Sequence, residues 1–495
     1  MPAQIKVRNF ANVRSADVSL GDLAVFLGPN NSGKSTLATV IYAACRVKPT
    51  GGIGLGQGRR LQDPRAIRLL ANYGMPPDFD GRSLDKLARQ LREALLSWER
   101  HDKGQGRSGS SVSLPTRMGH LLTRPMIATL RNYCQVFVTE LERCFGDTLD
   151  EFLADGKRET IITLAHDDDW HASITIRKGK PSFEIDVSEP SEADLNAIID
   201  GFFRSRRSDH GLWRQVTQRH PYGLLQEVYS EILRYYFRNF PNLAYYLPAA
   251  RSGMLHSHRA LAAALIRQSA FVGIQDFAVP KLPGVVTDFL SQLLELSPRR
   301  TTTYEETARF LEGEILHGRI NLAPQAPTAP EIMFAEGASV YALHRTSSMV
   351  SELAPVILFL RHVLRRGDLL IIEEPESHLH PASQVKFAQA IALMINQGAK
   401  VIITTHSDYF LNQLNNLIKL HTLATARDEQ PSNSPSIDPH SVEAYLVNPG
   451  PDGSNIEHLT VDPSSGISDA EFAEVADWLY NESAAIARDL NDAKS

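Results

Sequence analysis

Cysteine is scarce: Cys45, Cys134 and Cys144 are the only three in 495 residues. Three cysteines cannot staple a chain of this length, and their spacing is not that of a zinc site, so a disulfide scaffold and a zinc module are both excluded. The N-terminal MPAQIKVRNF also lacks the apolar core of a signal peptide, and the expected location is the cytoplasm. Long apolar runs are missing as well. LAPVILFL, LLII and VII are the longest, far short of the roughly 20 residues of a membrane span, so no membrane association is expected. Nor does one charge dominate. Lys and Arg number 51 against 57 Asp and Glu, a net charge of −6, which gives no general attraction to nucleic acid. Apolar residues at 43% and charged residues at 22% exclude a mostly disordered or purely coiled-coil chain. The length asks for two or more domains, or one domain with large insertions.

The hydropathy pattern orders the chain. Ile5, Val7 and the alternation Ala16–Leu20 predict a hairpin-like start, and Leu23–Leu27 is a short apolar strand. A Gly/Asn-rich turn follows, then a helix from about Lys34. Between Lys48 and Gly156 three segments have helical spacing, LQDPRAIRLLANYG, LDKLARQLREALLSWER and RPMIATLRNYCQVFVTELERCFG, interrupted by the Gly/Ser-rich KGQGRSGSSVS. Thr160–Val187 reads as strands, with His166-Asp167-Asp168-Asp169 at a turn that is either an acidic metal site or, the preferred reading, solvated. Helices are expected over Ala193–Phe240 and Leu255–His317, a strand over Asn242–Leu247, another over Ser339–Leu343, and an apolar helix over Ser351–Val363. Leu369–Ile372 and Val401–Thr404 have the continuous apolar character of parallel strands buried on both faces. The tail holds a polar loop, a strand pair (VEAYLV, IEHLTV) and a helix from Asp469.

Three strand ends carry chemistry. Gly28-Pro29-Asn30-Asn31-Ser32-Gly33-Lys34-Ser35 matches G-x-x-x-x-G-K-[ST], between an apolar strand and a helix. Its glycines let backbone N–H groups turn inward as an anion nest, and the helix N-terminus adds partial positive charge. Lys34 is placed for the β- and γ-phosphates, Ser35 for Mg²⁺, and Thr36 for the α-phosphate. Leu369–Ile372 delivers Glu373 and Glu374 at a strand's C-terminal end, where ligands bind in open α/β sheets. Adjacent carboxylates there divide the work, Glu373 supporting the metal and Glu374 orienting or deprotonating a water. Val401–Thr405 ends similarly in His406, positioned to reach a γ-phosphate or that water.

Together GPNNSGKST, LLIIEEPESHLHP, VIITTHSDYFL and the preceding SSMVSELAPV resemble the ABC-type ATPase heads, in the RecF/SMC-like branch that includes the OLD-like AAA family ATPases. The resemblance covers the two ends of the chain well and its middle poorly. It implies an α/β P-loop NTPase head with a large, mostly helical insertion, using ATP and Mg²⁺. It implies a head-to-tail, ATP-dependent dimer, possibly of higher order. In that dimer a signature serine, Ser347 or preferably Ser348, touches the partner's γ-phosphate, although Met349 stands where the family often has Gly. Glu376, Ser377 and His378 resemble the loop that crosses the dimer interface; His378 and His380 are alternatively a metal pair. The family's Gln near the metal is absent. Arg251 stands near its place, facing the nucleotide, the interface or merely solvent. No Glu and Asp-x-Asp pair follows Leu411, so a nuclease-less member without a Toprim domain is implied.

On that resemblance the segments are 1–47, head with phosphate loop; 48–157, helical insertion; 158–190, antiparallel strands; 191–254, helices and strand returning to the head; 255–318, second helical insertion; 319–425, head with signature, acidic strand end and His406; and 426–495, closing strands and helix. The expected activity is ATP hydrolysis in the service of a partner effector, such as a separately encoded nuclease, in anti-phage defence. The alternative is a DNA-binding repair or clamp ATPase, for which the cluster Arg204, Arg206, Arg207, Trp213, Arg214 and Arg219 supplies Arg/aromatic interleaving.

Overall fold

The computed structural model describes residues 3–47, 117–154, 156–166, 169–188, 231–256, 282–297, 302–323, 331–427, 435–468 and 470–492, with the isolated positions 89, 191, 194, 197 and 198. Apart from position 89, the two helical segments expected between 48 and 116 lie outside them, as do the Gly/Ser-rich stretch, Asp167 and Asp168, the Arg204–Arg219 cluster and residues 257–281 of the second insertion.

In chain order the strands used below are β1 (Ala3–Phe10), β2 (Val13–Leu20), β3 (Leu23–Leu27), β4 (Thr160–His166), β5 (Trp170–Arg177), β6 (Lys180–Val187), β7 (Ala244–Leu247), β8 (Arg319–Ala323), β9 (Glu331–Glu336), β10 (Ser339–Ala342), β11 (Leu369–Glu373), β12 (Lys400–Thr405), β13 (Val442–Asn448) and β14 (Ser454–Leu459). The helices used below are α1 (Lys34–Arg46), α2 (Arg117–Phe145), α3 (Gly284–Leu294), α4 (Glu305–Leu311), α5 (Ser348–His362), α6 (Pro381–Asn396), α7 (Asp408–Ala426) and α8 (Ala470–Asp492). Among the described residues no helix is long and apolar enough to cross a membrane.

The chain forms two compact units. The first comprises Met1–Phe10, Ala43–Glu142 and Asp147–Phe240. Its strands run antiparallel in the order β6-β5-β4-β1, with registers such as Ile5↔Leu164 and Ile162↔Ile174. The alternation in β1, β4 and β5 puts every second residue in the core. Trp170 stacks with Phe240 at 5.9 Å, meets Phe237 at 5.1 Å and Tyr133 of α2 edge-on at 6.4 Å. Its indole N–H donates to the Tyr236 carbonyl at 2.9 Å, so the large ring is buried with its polar atom satisfied. His166 ends β4 fully buried, its Nδ1 3.0 Å from Asp169 Oδ2.

The second unit comprises Ala11–Tyr42, Arg143–Gly146 and Pro241–Ser495. Its sheet has the order β2-β14-β13-β3-β12-β11-β7. β13, β3, β12, β11 and β7 pair parallel with one another in that order, and β13 pairs antiparallel with β14 on its other side. β3 (LAVFL) and β11 (LLIIE) are buried at every position, and β12 at all but its first, because helices cover the sheet's two faces. Residues of α5, α6 and α7 (Leu353, Ile357, Phe387, Ile391, Phe410 and Leu414) pack with Val25, Ile372 and Ile403 in one core. The α/β, P-loop class implied by the sequence is the class observed.

Two features of this unit differ from the sequence reading. β8 and β9 were not anticipated; with β10 they form a separate antiparallel sheet, order β10-β9-β8. The period-two signal was present in Ile320, Ile332 and Phe334, which are buried, but short runs beside Pro-rich chain read weakly. The apolar helix begins at Ser348, three residues before the expected Ser351, since Ser347 is its N-cap and accepts from the Val350 N–H at 3.4 Å.

Candidate functional site

Register brings the chemical residues to one edge. Glu373 pairs with Thr404, Thr404 with Phe26, and Thr405 with Leu27. β3, β12 and β11 therefore end level, and Gly28, His406 and Glu374 leave the sheet from its carboxyl edge within one residue of each other in register. The three motifs are about 30 to 380 residues apart in sequence; parallel pairing alone assembles them.

The loop after β3 fits an anion. The first α1 hydrogen bond runs from Leu37 N to Gly33 O at 3.0 Å, so helix geometry leaves the N–H groups before it without intrahelical partners. Gly28 has φ +134° and Gly33 φ +101°, conformations that side-chain-bearing residues rarely adopt. A Cβ on Gly28 would lie 2.6 Å from the Val447 carbonyl oxygen, and one on Gly33 would lie 3.1 Å from Asn12 Oδ1. Asn31 is also left-handed, at φ +60°, and Asn30 and Asn31 are exposed. Lys34 is buried, its ammonium donating to the carbonyls of Gly28 (2.8 Å) and Pro29 (2.7 Å). Ser35 is exposed on the first helical turn. Ser32 Oγ is buried and has no hydrogen-bond partner among the described residues. A glycine cradle, an ammonium, a hydroxyl and an orphaned polar atom are a donor set suited to a polyphosphate with its Mg²⁺. The Thr36 hydroxyl is committed elsewhere, donating to Asn12 Oδ1 at 3.1 Å. That leaves its backbone N–H, not its side chain, for a phosphate, and Asn12 is a loop-bracing residue that sequence reading missed.

Glu373 is buried and each of its oxygens accepts a bond. Tyr246 Oη donates to Oε1 at 2.7 Å and Ala249 N to Oε2 at 3.1 Å. Tyr246 Oη also lies 3.4 Å from Thr39 Oγ1 on α1, so one phenol ties the helix of the phosphate loop to the acidic strand end. Burial, then the Glu373 charge, pushes the Tyr246 phenol well above its ordinary value, so it stays a donor. Each carboxylate oxygen keeps a lone pair, which suits support of a metal through its water shell. Replacement of Tyr246 by Phe leaves a buried carboxylate short of a donor, and chemical denaturation should show a loss of about 1–3 kcal/mol. Unchanged stability would mean that the phenol does not carry Glu373.

Glu374 has φ +42°, in a region costly for a residue with a side chain. Its N–H is anchored on the Thr404 carbonyl at 2.9 Å, and its Oε2 accepts from Ser377 Oγ at 3.0 Å. It is half-buried at the strand end. Glu376 turns inward instead. Its Oε1 accepts from Thr405 Oγ1 (2.8 Å) and His406 N (2.9 Å), with His406 Nδ1 at 3.4 Å. It joins the loop after β11 to the end of β12, a role the sequence did not reveal. His406 keeps 43% of its side chain exposed.

Ser347 and Ser348 are exposed at the N-terminus of α5. His380 caps α6, its Nδ1 accepting from Ala382 N at 3.2 Å, and His378 Nε2 lies 3.9 Å from Glu352 Oε1, so the two histidines have separate partners. Among the described residues no group of three or more His, Cys, Asp or Glu could hold a metal ion. Arg251, for which the sequence left the nucleotide, the interface or solvent open, faces no solvent. It is fully buried, and burial lowers its guanidinium from the ordinary value while Glu352, Glu376, Glu373 and Glu374 oppose that shift.

The chain is similar to the SMC head domain from Thermotoga maritima at 10% identity, with 93% of this chain and 100% of that one covered and a TM-score of 0.36. It is similar to the SmcHead bound to the C-winged helix domain of ScpA at 9% identity, 93% and 98% coverage and a TM-score of 0.39. It is also similar to the Smc head domain with an extended coiled coil bound to the C-terminal domain of ScpA derived from Pyrococcus furiosus, at 11% identity, 92% and 96% coverage and a TM-score of 0.35. No curated protein matches the chain. Over residues 295–411, the stretch that holds Ser347, Ser348, Glu373, Glu374 and His406, the chain matches the AAA ATPase domain family.

Proposed function

We propose that this chain is an ABC/SMC-like, OLD-like ATPase head that binds ATP, closes as a head-to-tail dimer and hydrolyses the γ-phosphate. The observation that carries the reading is the convergence, at one sheet edge, of the Gly28–Ser35 loop, Glu373, Glu374 and His406 by strand register.

The loop N–H groups and Lys34 hold the β- and γ-phosphates, with Asn30, Asn31, Ser32 and Thr36 lining the same cradle. Ser35 and Glu373 would hold Mg²⁺, which supplies charge neutralisation to the phosphate oxygens when bound. Glu374 takes the proton of the attacking water. The water oxygen bonds to the γ-phosphorus, the bond from that phosphorus to the bridging oxygen breaks, and ADP leaves. His406, whose backbone N–H and ring Nδ1 both face Glu376 Oε1, is the γ-phosphate contact. Ser347 and Ser348, exposed at the positive end of α5, suit a phosphate presented by a second copy.

The dimer supports a partner effector, a separately encoded nuclease, in anti-phage defence; this part rests on the resemblance of the Glu373–Pro381 string to the OLD-like branch and of the tail from Val442 to Glu482 to the closing segment of its nuclease-less members. Sedimentation of the full chain with radiolabelled ATP and Mg²⁺ tests the core of the proposal. Label should co-sediment, the mass should double with ATP and not with ADP, and phosphate should be released. Absence of bound label rejects the reading.

A further inference from the structure

Arg251 and Glu352 are fully buried, and neither has a place in the chemistry above. We propose that the Arg251–Glu352 pair is a positioning joint that ties α5 to the Glu373–Glu374 strand end, so that a ligand engaging the N-terminus of α5 controls where Glu374 stands. This inference rests on the ATPase reading and deepens it.

The joint begins where the sheet runs out. β7 pairs with β11 only as far as Leu247↔Ile372. One residue on, the Glu373 carbonyl accepts from Arg251 Nη1 at 2.7 Å, and the Glu374 carbonyl accepts from Nη2 at 3.3 Å. Nη1 also reaches the Pro248 carbonyl at 3.4 Å. The planar guanidinium thus replaces a missing strand and grips the backbone on both sides of the left-handed Glu374. Only Arg offers such a fork.

The other end of the joint is α5. Arg251 Nε donates to the Glu352 backbone carbonyl at 3.1 Å and lies 3.0 Å from Glu352 Oε2. Neither Glu352 oxygen accepts a well-aligned hydrogen bond among the described residues. The pair is therefore electrostatic and incompletely satisfied, which is a poor arrangement for stability alone, because two desolvated charges rarely repay their transfer from water. Glu352 sits four residues after the exposed Ser348, directly beneath it on the helix. On its other side stands His378 Nε2, 3.9 Å from Oε1, on the loop that follows the catalytic strand. The carboxylate carried by α5 thus meets Arg251, which holds the strand end, on one side and that loop on the other.

The test uses the full chain and reads ATP affinity, kcat and thermal unfolding separately. Glu352→Gln keeps the shape and removes the charge. ATP affinity should stay within about twofold of the parent while kcat falls about tenfold or more, a split that a merely structural pair would not give. The double variant Arg251→Met, Glu352→Met replaces the pair by apolar volume. It should fold at least as stably as the parent, and its kcat should remain about tenfold low because the grip on the two carbonyls is gone. Arg251→Lys keeps the charge without the fork and should not restore turnover. Parental kcat in Glu352→Gln or in the double variant overturns the joint while leaving the ATPase reading intact. If Glu352→Gln does not fold, the double variant decides. A parent chain that binds and hydrolyses no ATP overturns the ATPase reading itself, and the joint with it.

Discussion

Lys34→Ala is expected to lower ATP affinity about 100-fold while the protein remains folded. The ammonium is buried against the Gly28 and Pro29 carbonyls, so the loop is already shaped around a cation. A phosphate chain brought into that loop meets a charge whose desolvation has been met in folding. Charge-assisted bonds of this kind contribute about 1.5–3 kcal/mol each, and tenfold in affinity corresponds to about 1.4 kcal/mol. Loss of the ammonium also leaves the carbonyls of residues 28 and 29 facing the phosphates. Lys34→Arg should fail as well, since a wide planar fork does not fit a space built for a point charge. Titration calorimetry with ATP and Mg²⁺ measures both. An alanine variant with parental affinity would place the nucleotide somewhere other than this loop.

Glu374→Gln is expected to abolish turnover and spare binding, the reverse of the lysine result. General-base removal costs about 10²–10⁴ in rate. The amide keeps the length of the side chain and can still meet Ser377, whose hydroxyl lies 3.0 Å from Oε2 in the parent. The variant should therefore accumulate with ATP uncleaved and, if closure needs the triphosphate, as a stable dimer in sedimentation. Single-turnover phosphate release separates this outcome from slow product release. Parental turnover would transfer the base role away from Glu374. In cells carrying a defence system, both variants should lose protection against phage; protection retained by either would show that no nucleotide cycle is needed.

The site was legible where local pattern and chemistry coincide. β3, β11 and β12 announce themselves as apolar runs, and their register brings the loop, the two carboxylates and the histidine that follow them to one edge. What stayed hidden depends on partners far along the chain. Nothing around Arg251 says that Glu352, a hundred positions later, will bury it. Asn12 reads as part of a turn, yet it braces Thr36 across the loop. Glu376 reads, with Ser377 and His378, as part of a loop that crosses a dimer interface, and only the register of β11 with β12 sends it to His406. The early start of α5 was missed for a local reason: Ser347-Ser348 looks like loop until one serine is seen capping the other's helix.

The carbonyl of Val447 stands 2.6 Å from where a side chain on Gly28 would begin, and its strand lies parallel beside β3. One wall of the nucleotide grip is thus made by a residue translated more than four hundred codons after the loop it supports. During synthesis the loop emerges early but has nothing to close against until residue 447 has cleared the ribosome and its strand has docked. A nascent or prematurely terminated chain would carry the complete motif and still lack a finished grip.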